Sequence, residues 1–210
     1  MISLDVAHLT YSQIATESLN FLYQNKATSI PIQIENIIDL NYNIDIIPTP
    51  GLQNLYQVDG FISSDYSCIY IDNFVYENRY YRYRFTLAHE IGHLILHQKY
   101  LSQCQFNSID EWKTFCHEIS LKDHSYMESQ GYAFGGLALV PQMELKKYFE
   151  EYLPQVMPLI EQAKNNGITR KDYLIYAKDA LATFLSPIFE VSTDVINRRI
   201  DFDSLCDLIP

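Results

Sequence analysis

Residues 84–97 read RFTLAHEIGHLILH. The stretch holds His89, Glu90 and His93 in the spacing HExxH. From about Glu77 to Gln98, Tyr83, Leu87, Ile91, Leu94 and Ile95 recur at helical spacing, without proline and with Gly92 as the only glycine. Residues four apart on a helix stand one above the other on one face, so His89 and His93 can share one zinc ion. Glu90 is rotated by roughly 100° from His89 and flanks the metal without ligating it. From there it can take a proton from a water on the zinc and pass it to a leaving group. A chain of this composition contains such a motif by chance about 0.01 times. The competing reading is a hydrogen-bonded structural pair of histidines.

Composition sets the frame around this helix. The 210 residues carry a formal net charge of −11 and are 48% hydrophobic, a globular composition with a sizeable core. No stretch approaches about 18 uninterrupted apolar residues, so no membrane span is expected. The opening MISLDVAHLTYSQ lacks a basic start and a long apolar run, so no secretory signal is expected. Cys68, Cys104, Cys116 and Cys206 form no CxxC pair, and a reduced, cytoplasmic chain is the expectation. Most of the excess acid lies in residues 1–142, which suits a cationic or polar polypeptide partner or simple solubility. Nucleic acid is not expected as a direct partner.

The flanking pattern predicts a mainly helical α+β fold. Residues 9–25 read as an amphipathic helix with Ile14, Leu19 and Leu22 inward, and Pro31 opens a second helix that Asn41 and Asn43 end. Residues 44–49, 60–64 and 67–72 read as three short strands, the last two a hairpin. Residues 51–60 read as a loop, 99–120 as a loop plus a short helix around Trp112, and 122–138 as a helix. Helices are then expected over about 142–153, 157–166 and 170–185, with a last one capped by Ser192. The expected division is a core of 1–142 and a C-terminal helical lobe of 143–210 packed on it.

A catalytic zinc takes three protein ligands and keeps one open position. A metzincin would need a glycine at position 96 and a histidine at position 99, where this chain has Leu96 and Lys99. His97 lies about 12 Å along the helix from His89, and reads as a buried structural histidine or a neighbour of the ligands. The remaining candidates are His117, Glu118, Asp123, His124 and Glu128. Glu128 is preferred, because it opens a segment dense in Gly131, Ala133, Gly135 and Gly136. Such small residues let a second helix approach the first closely, at a cost in intrinsic helicity.

These two stretches, RFTLAHEIGHLILH and ESQGYAFGGLALVP (128–141), resemble the ImmA/IrrE metallopeptidases. That family pairs an RFTxAHExGHxxxH helix with an ExxANxFAxxLLMP helix. PIQIENIIDLNYNIDII (31–47), CIYIDN (68–73) and FEVSTDVINRRI (189–200) resemble its entry, the strand before its metal helix and its ending. The resemblance implies a zincin-like zinc peptidase that cleaves helix-turn-helix repressors. It implies His89, His93 and Glu128 as metal ligands and Glu90 as general base. Two departures stand out: Gly131-Tyr132 replaces the family's Ala-Asn, and 34 residues separate His93 from Glu128.

An extended substrate is expected beside an edge strand, for which 67–72 is the candidate. Tyr126, His117 and His124 are candidates for stabilising the oxyanion. Two other functions compete: a metal-bearing regulator that binds a repressor without cutting it, and DNA binding through VSTDVINRRI (191–200). The intact Glu90 weighs against the first, and an acidic lobe with Arg198 and Arg199 as that segment's only bases weighs against the second.

Overall fold

The computed structural model of the chain describes residues 2–210. The fold is mainly helical α+β with one small mixed sheet, as the pattern predicts. Two compact units divide it. One takes the chain up to Ser29 and again from Gln33 to Ala138; the other takes Ile30–Ile32 and Leu139–Pro210.

The first unit opens with an arm, residues 2–9, followed by α1 (Tyr11–Gln24). Thr10 and Gln13 cap α1 reciprocally, each side chain bonding the other's backbone amide. Ile14, Ser18, Phe21 and Leu22 form its buried face. Leu19 is exposed: the i, i+4, i+7 stripe from Ile14 passes through Ser18 and Phe21 instead. A single turn, α2 (Ile34–Ile37), runs into a π-helical turn that ends at Asn43 in the left-handed conformation.

The sheet has the order β1-β3-β2, with β1 (Asp45–Thr49) parallel and β2 (Gly60–Ile62) antiparallel to β3 (Cys68–Asp72). β3 is therefore the central strand, which corrects the expectation that 67–72 is an edge. The hairpin places β2 on one side of β3, and the chain before it returns β1 to the other. Pro48 fits β1 because an edge strand has an unpaired side where no N–H is needed. The connection read as a loop contains a short helix, α3 (Leu52–Tyr56).

Asp72 ends β3 and caps α4 (Asn73–Asn78), accepting from the Phe74 and Val75 amides. The chain turns at Arg79 into α5 (Tyr80–Leu101), so the stretch read as one helix from Glu77 begins as two. α6 (Ile109–Glu118), capped by Ser108, and α7 (Leu121–Leu139) follow. Val6, Tyr100, Leu101, Phe106, Phe115, Ile119 and Met127 form an apolar cluster that ties the arm, α5, α6 and α7 together.

In the second unit, residues 142–165 form one helix, α8 (Gln142–Asn165), where two were expected. Pro154 and Pro158 both lie inside it. Proline removes an intrahelical donor and crowds the carbonyl four residues back. Here both prolines, and both affected carbonyl-bearing residues Glu150 and Pro154, are exposed, where solvent can take the place of the lost donors. The buried stripe Leu145, Phe149, Val156, Ile160 and Ala163 runs on past them at helical spacing. Gly167, at φ +74°, ends the helix with the Ile168 amide bonded to the Ala163 carbonyl. α9 (Arg170–Phe189) and α10 (Thr193–Phe202) complete the unit, with Ser192 capping α10 as expected. Among the described residues no helix is long and apolar enough to cross a membrane.

Candidate metal centre

His89 and His93 stand one turn apart on α5, and α7 brings Glu128 to them. The His89 Nε2 and His93 Nε2 atoms are 3.0 Å apart. Glu128 places Oε2 3.4 Å from the first and Oε1 3.6 Å from the second. A tetrahedral zinc with bonds of about 2.0–2.1 Å needs donor atoms about 3.3–3.4 Å apart. Two imidazole nitrogens and a carboxylate whose two oxygens face them, with one atom from each residue all within 4.8 Å of one another, are a group that could hold one metal ion, and both their number and kind fit zinc.

Glycine makes this convergence possible. A methyl group on Gly92 would lie 3.1 Å from Phe134 Cβ and 3.2 Å from the Gly131 backbone. One on Gly135 would lie 3.2 Å from the His89 amide nitrogen, and one on Gly131 would lie 3.1–3.3 Å from ring atoms of His89 and His93. α5 and α7 thus touch backbone to backbone, which a short glutamate side chain needs in order to reach imidazoles on the neighbouring helix.

Glu90 is 4% exposed and turns the other way, toward the sheet. Its Oε2 accepts a hydrogen bond of 2.9 Å from the Ile62 amide of β2. Gly60 sets β2 this close, since a methyl group there would lie 2.6 Å from the Tyr70 carbonyl oxygen and 3.0 Å from Thr86 of α5. Burial pushes the Glu90 carboxyl up to about 7, against the opposing pull of His89. Partial burial acts on Glu128 in the same sense, but the hydrogen bond from His89 and the charges of His93, His89 and His124 outweigh it and hold the carboxyl down at about 2. The two carboxyl groups are therefore held far apart in pKa, Glu90 near neutrality and Glu128 well below the usual carboxylate range.

A chain of hydrogen bonds continues behind His93. Its Nδ1 lies 3.1 Å from Nδ1 of His97, and His97 Nε2 lies 3.0 Å from Oε1 of Gln130 on α7. Gln130 Nε2 donates to the carbonyl of Ala7 in the arm at 2.9 Å. His97 is fully buried, and burial pulls its pKa down to about 4. The sequence shows a third histidine at i+4 of His93, but nothing in it points to Gln130 or to the arm.

The other candidates are placed elsewhere. Asp123 accepts from the Leu4 and Val6 amides and from Ser120, so its carboxylate anchors the arm. Tyr126 packs edge-on against His8 at 5.3 Å. Tyr132 lies 4.7 Å from Phe85, ring to ring. His117 and Glu118 are exposed on α6. His124 is one turn before Glu128 and acts electrostatically on both Glu128 and His93. The residues between His93 and Glu128 flank β2 rather than float: Trp112 stacks on Phe61 at 4.8 Å, and Phe61 on Tyr70 at 4.7 Å.

No curated protein matches the chain. Residues 41–201 match the family described as the IrrE N-terminal-like domain, peptidase M78, a span that takes in the sheet, α5 and α7 and so every residue of the triad and Glu90. On that match, which covers most of its length, the chain belongs to this family of metallopeptidases.

Proposed function

We propose that this metallopeptidase is a zinc-dependent endopeptidase that works in the cytoplasm and cuts a regulatory polypeptide, a helix-turn-helix transcriptional repressor first among the candidates. The observation that carries the reading is the His89–His93–Glu128 triangle beside a buried Glu90. When bound, zinc supplies the Lewis acidity that polarises a peptide carbonyl and makes water a nucleophile near neutral pH. Glu90 takes the proton from the attacking water and returns it to the departing amine. Its elevated pKa suits both transfers. The Ile62 amide holds one carboxylate oxygen, so the group keeps its orientation while its charge changes.

β2 replaces β3 as the strand that an extended substrate would join. The Asp59 carbonyl accepts from β3 and the Ser63 amide donates to it, so Phe61 faces β3 as well; the Gly60 peptide groups and the Ile62 carbonyl turn away from β3, while Glu90 holds the Ile62 amide. Main-chain pairing there would lay a peptide along α5 next to Glu90. The excess acid of residues 1–142 favours a cationic substrate segment. Residues 1–142 are the catalytic core in this reading, and 143–210 carry none of the reacting groups.

The test is incubation of the protein and zinc with candidate helix-turn-helix repressors. Fragments should form, and both a chelator and Glu90→Gln should abolish them while Glu90→Gln retains zinc. Cleavage by Glu90→Gln at the wild-type rate would remove Glu90 from the mechanism. A repressor that binds but stays intact would favour a regulator that does not cut.

A further inference from the structure

The hydrogen bonds behind His93 have a direction. Gln130 must give its NH2 to the Ala7 carbonyl, because the flipped amide would set two acceptors 2.9 Å apart. Its Oε1 then faces His97, so His97 Nε2 must be the N–H. A neutral His97 consequently offers a lone pair at Nδ1, and His93 Nδ1 must donate to it across 3.1 Å. That leaves His93 with a bare Nε2, the atom aimed at His89 and Glu128. The opposite direction would leave His97 Nε2 and Gln130 Oε1 as two facing acceptors 3.0 Å apart.

We propose that His97, held by Gln130 and the Ala7 carbonyl, is a positioning residue that keeps His93 in the tautomer whose Nε2 is free to bind the metal. The inference rests on the metal reading above and assigns it a support that reaches into the arm. Asp123 clamps the Leu4 and Val6 amides, and the Tyr100 hydroxyl accepts from the Ala7 amide, so the carbonyl at the end of the relay is itself fixed. Ligating histidines commonly donate their second nitrogen to an outer acceptor. Here that acceptor is another imidazole on the same helix.

Two measurements test this. Nitrogen-15 spectra of the imidazoles in metal-free protein should show neutral His93 protonated at Nδ1; protonation at Nε2 overturns the proposal. Chelator competition should show zinc affinity falling about 10–100-fold in His97→Leu and by a smaller factor in Gln130→Leu. His97→Asn, which can accept from His93 and donate to Gln130, should recover part of the loss. A buried histidine with a purely structural role would lower the melting temperature of the metal-free protein and leave zinc affinity unchanged. Wild-type zinc affinity in folded His97→Leu, or in Gln130→Leu should the first variant not fold, overturns the proposal alone. Wild-type protein that takes up no zinc overturns the metal reading and the proposal with it.

Discussion

Two helix pairs in this chain are built on opposite plans. α8 and α9 are neighbours in sequence and meet through large apolar side chains. Tyr148 packs edge-on against Phe189 at 5.8 Å and Tyr152 lies 5.6 Å from Phe184, while Leu145, Phe149, Leu181 and Leu185 are fully buried. α5 and α7 stand 20 residues apart in sequence and meet through Gly92, Gly131 and Gly135. What they enclose is polar: His93, His97 and Gln130 are each buried to 6% exposure or less. Apolar burial stabilises the first pair directly, at about 25 cal/mol per Å². Burying imidazoles and a carboxylate opposes folding unless each finds a partner. The lesson is that the second pair holds together through close backbone approach and a hydrogen-bond relay, and that its stability depends on what its polar groups bind.

The largest expected effect separates the two plans outright. Glu128→Ala should weaken zinc binding by about 10³-fold, near 4 kcal/mol, because one of the three proposed protein ligands is lost. Equilibrium dialysis with zinc would show it, and unchanged binding would move the third ligand elsewhere. Leu181→Ala should cost about 3 kcal/mol of stability by opening a cavity under α8, read by urea denaturation. Zinc stoichiometry should not change, and a loss of zinc would mean that the two plans are not independent.

Glu90 gives the third. A carboxyl whose pKa is raised from 4.5 to about 7 opposes folding when it must ionise. That penalty is absent below 4.5 and complete above 7. Glu90→Gln should therefore stabilise metal-free protein by about 3 kcal/mol near pH ~8 and hardly at all near pH ~4. Melting curves at the two pH values would measure it, and an equal gain at both would remove burial of the charge as the cause. The smallest effect is Gly92→Ala. Alanine adds about 1 kcal/mol of helix propensity, while overpacking against the Gly131 backbone costs about 1–3 kcal/mol. A net loss of about 1 kcal/mol with weaker zinc binding would sharpen the picture of close approach, and a net gain would refute it.

Much of this was legible in the chain. The helical period around RFTLAHEIGHLILH located α5, HExxH located three of the site residues, and the glycines after Glu128 pointed to a close second helix. The failures have physical causes. Prolines at 154 and 158 looked like an interruption, yet a helix keeps going where its freed carbonyls face water and its apolar stripe continues. Strand 67–72 reads as the edge candidate because it precedes the metal helix, yet sequence order says nothing about which strand lies between the others. Gln130 carried no signal because a glutamine two residues after Glu128 looks the same in the chain whether it meets solvent or a buried imidazole.

The sequence by itself determined the chemistry on offer: two imidazoles and a carboxylate at fixed offsets on one helix, which local geometry alone sets at 3.6 residues per turn. Only the tertiary structure decided which carboxylate joins them, that β2 rather than β3 lies at the edge by Glu90, and that the arm closes a relay through Gln130 to His97. Those contacts span from 28 to 123 residues of chain. Over such distances no periodicity carries information, because the partners meet only once the packing of the whole unit has brought them together.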